Sequence, residues 1–94
     1  MCENALAELQ QENERTRVTL WRLPPGTATG WHVHGFDYVV VPVQGGLLTV
    51  ETREGRFDYP VQTAKSYARD KGVEHNIRNT TDAEIAFVEV EIKD

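Results

Sequence analysis

Apolar and polar side chains alternate along most of this chain. Three segments, residues 17–20, 56–61 and 86–93, show the pattern most clearly. Because successive side chains of a β-strand point to opposite faces, a period of two residues predicts strands with one buried face. In the last segment the apolar residues are predicted to face the core and the charged ones to face outward. The predicted core residues are Ala86, Val88, Val90 and Ile92, and the predicted outer residues are Glu89, Glu91 and Lys93.

Turn-forming residues separate the alternating segments at regular intervals. Pro, Gly, Asn and Asp cluster at residues 24–26, 45–46, 54–55, 70–72 and 79–82. This punctuation predicts about eight strands of roughly five to eight residues each. Regular short strands joined by tight turns are typical of a sandwich or a barrel. We therefore predict one compact all-β domain over residues 16–94.

Residues 1–15 follow a different pattern and form a separate N-terminal segment. Residues 2–14 are mostly helix formers, and Leu6 and Leu9 are three positions apart, on one side of a helix. The pattern predicts a short amphipathic helix or a disordered segment. Chain ends more often cap a domain or contact a second copy than carry chemistry.

The composition narrows the class of protein. A chain of 94 residues has a small core, so we expect it to associate as a homodimer. Its net charge is −5 and its basic residues are scattered, which excludes a phosphate-binding stripe and argues against a nucleic-acid partner. No apolar run approaches the roughly 20 residues of a membrane span. The single cysteine, Cys2, cannot form an internal disulfide, so we expect a soluble cytoplasmic protein.

All three histidines fall in two short segments. His32 and His34 are two positions apart, and the flanking residues favour a strand, so both imidazoles lie on one face roughly 7 Å apart. That spacing lets both rings converge on one metal ion. A third ligand must come from elsewhere, and His75 is the one remaining histidine.

Two linked motifs resemble those of the cupin superfamily, over about residues 16–93. The matching residues are Gly26, His32-x-His34, Tyr38, Gly45 and Gly72-x-x-His75-x-x-x-Asn79. The surrounding sequence is similar to that of small single-domain cupins associated with β-alanine degradation. The resemblance implies a double-stranded β-helix, or jelly-roll barrel, of the RmlC-like kind. It also implies a divalent transition metal, such as Fe, Ni, Mn or Zn, bound by His32, His34 and His75.

Tyr38 stands where the family pattern has a glutamate ligand. Its parity matches that of His32 and His34, so its ring is expected inside the barrel, as a hydrogen-bond donor or a general acid. Asp37 replaces the missing carboxylate only if a bulge shifts the strand by one residue. Two turn positions also depart from the pattern, with Asp70 for proline and Ala64 for glycine. Gly72 is expected to have a positive φ, and Asn79 to make a side-chain bond to a turn.

Two functions are open at this point. The first is a metalloenzyme of oxygenase, lyase or isomerase type that acts on a small polar or carboxylated molecule, with Tyr38 as its catalytic proton donor or acceptor. The candidate substrate contacts are Trp21, Arg22, Tyr67 and Arg69. The second is a non-catalytic barrel that binds a small ligand or a metal. In this case, catalytic activity was lost together with the glutamate of the motif. A structural partner in a larger assembly is favoured only if the N-terminal segment docks elsewhere.

Overall fold

The computed structural model describes residues 3–93 as an all-β chain, and Cys2 lies outside the described residues. Its eleven strands are β1 (Glu3–Asn4), β2 (Leu6–Glu12), β3 (Thr16–Leu23), β4 (Thr27–Ala28), β5 (His32–Val33), β6 (Asp37–Gln44), β7 (Gly46–Thr52), β8 (Gly55–Val61), β9 (Tyr67–Arg69), β10 (Glu74–Arg78) and β11 (Ile85–Ile92). The predicted all-β class is confirmed.

The strands form two facing sheets, the arrangement of a jelly-roll barrel. One sheet has the order β1-β4-β10-β7-β8, with β5 paired to β10. The other has the order β2-β3-β11-β6-β9. Pairing is antiparallel except between β1 and β4. Neighbouring strands in each sheet are often far apart in sequence, so distant segments such as β5 and β10 meet inside one barrel.

The core fills the space between the two sheets. Each sheet contributes aliphatic and aromatic side chains that are almost fully buried. The core cluster consists of Leu23, Tyr38, Val40, Leu48, Val50, Val61, Ile77, Ile85 and Phe87. Burying several such side chains stabilises a domain by roughly 1.5–3 kcal/mol each before the entropy cost of ordering is counted.

The N-terminal segment is a strand, and the expected helix is not seen. Residues 6–12 pair with β3 along its free edge, with Leu6 opposite Arg22 and Glu12 opposite Arg17. The carboxylate of Glu12 also binds Arg17 and Lys93, at 3.2 and 2.6 Å. Pairing with β3 satisfies the backbone groups of β2, and this tertiary contact outweighs its weak helical propensity.

Ala86 is buried as predicted, but beyond the register shift between Ala86 and Phe87 the faces of β11 are the reverse of those predicted from alternation. Residues directly opposite one another on antiparallel strands share a face, and Glu89 lies opposite the buried Val40. Glu89 therefore faces the barrel interior together with Phe87, while Val88 and Val90 face outward. The prediction failed because it assumed that the apolar set always faces the core.

Two turn residues behave as the sequence predicted. Gly72 has a φ of 96°, a backbone region that residues with a side chain rarely adopt. Asn79 is fully buried, and its Nδ2 donates hydrogen bonds of 2.7 Å to the carbonyl oxygens of Leu23 and Ala83. Its Oδ1 accepts a hydrogen bond from the backbone N–H of Thr81.

Across residues 3–93 there is no helix long and apolar enough to cross a membrane.

Candidate metal centre

The pairing of β5 with β10 brings the three histidines together. His32 lies directly opposite His75 in the register of these two strands. His34 follows β5, and its backbone N–H donates a hydrogen bond of 2.9 Å to the carbonyl of Val73. The backbone N–H of Gly72 returns a hydrogen bond of 2.8 Å to the carbonyl of His34. These bonds hold the chain after β5 against the turn that leads into β10.

The three Nε2 atoms converge on one point. His34 Nε2 lies 3.1 Å from His32 Nε2 and 3.2 Å from His75 Nε2. One ion with bonds of about 2.0–2.1 Å to two imidazoles holds their nitrogens about 3.3 Å apart at a tetrahedral angle and about 2.9 Å apart at a right angle. Both spacings to His34 Nε2 fall between these values, and the ligand atoms of all three histidines lie within 4.8 Å of one another. The donor set therefore fits a divalent transition metal bound by three histidines.

Hydrogen bonding and burial prepare these imidazoles to act as ligands. His32 Nδ1 lies 2.7 Å from the carbonyl oxygen of Gly30. A carbonyl only accepts, so Nδ1 carries the proton and Nε2 keeps its lone pair for the centre. Burial, followed by the charge of His32, lowers the pKa of His34 to about 4 and that of His75 to about 3. Both rings are therefore neutral at pH 7, the form that binds metal.

Tyr38 occupies the position next to the histidines where the family pattern has a carboxylate. It is 2 % exposed, and its ring stacks on His34 with centroids 3.9 Å apart and planes 21° apart. Burial, with a smaller contribution from Glu89, raises the pKa of Tyr38 well above its usual range. Asp37 is exposed and accepts a hydrogen bond from the backbone N–H of Lys71, so it lies outside the histidine cluster. Within residues 3–93, that cluster contains histidines alone.

A cavity of about 220 Å³ opens beside the histidines, between the two sheets. His75 forms part of its wall. Its apolar walls come from both sheets and include Val40, Val50, Ile77 and Phe87. The phenol rings of Tyr38 and Tyr67, the guanidinium of Arg69 and the carboxyl of Glu89 add polar groups. Apolar walls with a few convergent polar groups are typical of a small-molecule site.

The four predicted substrate contacts divide into two pairs. Tyr67 and Arg69 line the cavity, and the Arg69 guanidinium lies 4.6 Å from the centre of the Tyr67 ring. Trp21 packs against the core away from the cavity lining, and Arg22 is exposed and forms an ion pair of 3.7 Å with Glu84. The structure therefore brings Tyr67 and Arg69 to the site and leaves Trp21 and Arg22 outside it.

Glu89 is the polar cavity residue that the sequence pattern placed on the wrong face. Burial and then the nearby charge of Glu91 raise the pKa of Glu89 to about 7. The indole N–H of Trp21 approaches this carboxyl and lowers its pKa slightly. The buried Nε1 of Trp21 nevertheless lies outside strict hydrogen-bond geometry with the described residues. One signal for Glu89 was available, because an acidic residue in the middle of an apolar strand often faces a site.

Comparison with known proteins assigns the class. Residues 19–91 match the family model of the cupin domain. That span is more than half of the chain, and the fold and the histidine arrangement agree with it. The chain therefore belongs to the cupin family.

Two relatives are similar over nearly the whole chain. The Beta-alanine degradation protein BauB of Pseudomonas aeruginosa is 47% identical over 89 residues, which cover 95% of this chain and 94% of BauB. The crystal structure of a cupin domain from Bordetella pertussis has 49% identity and a TM-score of 0.98, and the match covers 100% of this chain and 98% of that one. An RmlC-like cupin from Methanocaldococcus jannaschii has a TM-score of 0.79 at 15% identity, over 98% of this chain and 83% of that one, and shares the fold.

Proposed function

We propose that this cupin is a metal-dependent enzyme that acts on a small carboxylated molecule inside the barrel. The observation that supports this most directly is the position of His75, which belongs both to the converging Nε2 cluster and to the cavity wall. A ligand in the cavity thus lies beside the ion that the histidines would hold. That ion, of a divalent transition metal, supplies a Lewis acid with at least one open position.

Arg69 is the proposed carboxylate contact. Its guanidinium packs against the rings of Tyr59 and Tyr67, with distances of 5.1 and 4.6 Å to their centroids. Its Nη1 donates a hydrogen bond to the backbone oxygen of Ala68, which leaves other donors on the fork for a ligand. A planar guanidinium held by two rings is preorganised to bind a carboxylate.

Tyr38 is the proposed proton donor. Its raised pKa keeps the hydroxyl protonated, so it donates a hydrogen bond to a ligand near the histidines and gives up its proton only to a strongly basic group. A neutral phenol does not replace the negative charge of a carboxylate ligand. We therefore expect weaker metal binding than in a site with three histidines and a glutamate.

The name of the Pseudomonas relative connects that protein with the degradation of β-alanine, a small carboxylate. This agrees with the class of ligand proposed from Arg69. We further propose that the protein works in the cytoplasm, where small-molecule metabolism takes place.

One observation favours a second candidate, a non-catalytic barrel that binds a metal or a small ligand. The histidine cluster contains no carboxylate among residues 3–93. Incubation of the metal-loaded protein with a panel of three-carbon carboxylates, followed by ¹H NMR, separates the two functions. Turnover that is lost in Tyr38→Phe supports the enzyme, whereas saturable binding without turnover supports the binder.

Elemental analysis tests the metal centre itself. The protein is purified without chelator or affinity tag, beside the variants His75→Ala and Asp37→Asn. We expect near-stoichiometric iron, nickel, manganese or zinc in the wild type and in Asp37→Asn, and its loss in His75→Ala. A wild-type protein that lacks these metals and resists reconstitution would contradict both the enzyme and a metal-binding barrel.

A further inference from the structure

The cavity has a negative pole as well as a positive one. Glu89 lies on β11 and lines the cavity together with Arg69, yet the two side chains form no ion pair within residues 3–93. The phenol groups of Tyr38 and Tyr67 are within electrostatic reach of both, since Glu89 raises the pKa of each and Arg69 lowers it. The acidic and the basic group are therefore separate features of one cavity.

The Glu89 carboxyl has no charged partner in this part of the fold. No ion pair joins it to another described residue, and the polar group that approaches it is the indole N–H of Trp21, which lowers its pKa although it lies outside strict hydrogen-bond geometry. Buried polar groups in proteins are nearly always hydrogen-bonded, and an exception points to a water, an ion or a ligand. Burying a carboxylate among apolar walls is costly without an opposite charge, and a cationic group on a ligand in the cavity would supply one.

Two other acids of the barrel show a different arrangement. Glu91 lies two residues further along β11 and forms an ion pair of 3.3 Å with Arg17. Glu51, on the other sheet, binds Arg78 at 3.0 Å and accepts a hydrogen bond of 2.8 Å from Asn76. These carboxylates have partners within the protein. Glu89 differs in facing the cavity without a charged partner.

We infer that Glu89 contacts the ligand and that the cavity selects a small amino acid in its zwitterionic form. The ligand carboxylate pairs with Arg69 near His75, and its ammonium group donates hydrogen bonds to Glu89. Separated opposite charges on apolar walls discriminate against molecules that carry only one charge, because such a ligand leaves the other buried group unpaired. This inference rests on the proposed function only for the position of the ligand in the cavity.

Three probes of similar size test the inference: β-alanine, propionate and n-propylamine. Their binding is followed by ¹H–¹⁵N NMR titration of the wild type, of Glu89→Gln and of the matched control Glu91→Gln. We expect β-alanine to bind the wild type and Glu91→Gln about tenfold or more tightly than either single-charge probe, as for one charge-assisted hydrogen bond. In Glu89→Gln that preference over propionate should vanish, while propionate binding stays within about twofold.

The inference is overturned if β-alanine and propionate bind the wild type equally, if Glu89→Gln keeps the preference, or if none of the three probes binds. Glu89→Asp keeps the charge on a shorter side chain and should retain part of the preference, which separates a contact from a folding defect. Metal content is measured on the same samples. A metal-free protein that still prefers β-alanine would support Glu89 and contradict the metalloenzyme. A metal-loaded protein without the preference would contradict the role of Glu89 and leave the metalloenzyme supported.

Discussion

At the scale of single residues, Ala64 is the clearest case of a conflict between sequence and backbone. It has a φ of 68°, the left-handed region that favours glycine, and the family pattern has glycine at this turn. The backbone N–H of Ala64 donates a hydrogen bond of 3.0 Å to the carbonyl of Pro42. The surrounding strands therefore impose a conformation that an alanine adopts only at a cost of roughly 1 kcal/mol.

Ala64→Gly should relieve this cost. Because glycine also has more freedom in the unfolded chain, we expect a net gain of about 0.5 kcal/mol in the free energy of unfolding, measured in urea. The control is Ala68→Gly, in the middle of β9, where loss of the methyl group should lower stability by about 0.5 kcal/mol. Destabilisation by Ala64→Gly would show that the turn tolerates alanine without strain.

Glu89 makes stability depend on pH. Its pKa in the folded protein is about 7, above the ordinary value of 4.5, so the folded state binds more protons between these values. Stability from this group is complete below about pH 4.5 and is lost as the pH rises through about 7. Glu91 on its own strand and Trp21 on β3 act on the carboxyl directly, and it shares the cavity with Tyr38, Tyr67, Arg69 and His75.

Glu89→Gln removes this ionisation. We expect the variant to gain stability over the wild type as the pH rises from 5 to 8, to a difference on the order of 2 kcal/mol after allowance for water in the cavity. Urea unfolding at several pH values measures the difference. Parallel stability profiles for the two proteins would exclude a buried, titrating Glu89.

At the scale of elements, β2 and β11 show how pairing overrides local pattern. Every residue of β2 is exposed, so burial of side chains does not explain this strand. Its place on β3 depends on backbone pairing and on the turn at Asn13, whose Oδ1 accepts hydrogen bonds from the N–H groups of Arg15 and Thr16 at 2.8 and 2.9 Å. This side chain closes the β2–β3 hairpin.

Asn13→Ala should therefore loosen β2 while the barrel remains folded. Losing a turn hydrogen bond costs about 1 kcal/mol, so we expect amide hydrogen exchange in β2 to be roughly fivefold faster, with little change in β11. Glu14→Ala, in the same exposed turn, is the control and should leave exchange unchanged. Equal acceleration in β2 and β11 would mean that β2 unfolds only with the whole domain.

At the scale of the whole molecule, the outer face of the five-stranded sheet is unusually apolar. Aliphatic side chains of β3, β6 and β11 face away from the core, among them Val41 and Val43, which are 36 % and 52 % exposed. Val88 and Val90 lie on the same side. A continuous aliphatic face is complementary to itself, and a two-fold pair buries it on both partners. We propose a second copy of this chain as its occupant.

Val41→Glu should disrupt that pair, because it places a charge at the centre of the proposed interface. We expect a dimer for the wild type and a monomer for Val41→Glu in sedimentation velocity. The control is Val33→Glu, since Val33 is 61 % exposed on β5, outside this face. A monomeric wild type, or a dimeric Val41→Glu, would contradict the proposed dimer.

The sequence by itself determined the all-β class, the turns at Gly72 and Asn79 and the inward direction of Tyr38. It also identified the three histidines as the candidate metal ligands. Each follows from local rules, namely the alternation of side chains along a strand, turn chemistry and residue types with few alternative uses. Tertiary structure alone decided the strand at residues 6–12, the inward direction of Glu89 and the position of Trp21 and Arg22 outside the cavity lining. For β11 the physical reason is that both of its faces are partly covered, so its apolar face does not identify the interior. For β2 the reason is that an edge strand depends on the strand beside it.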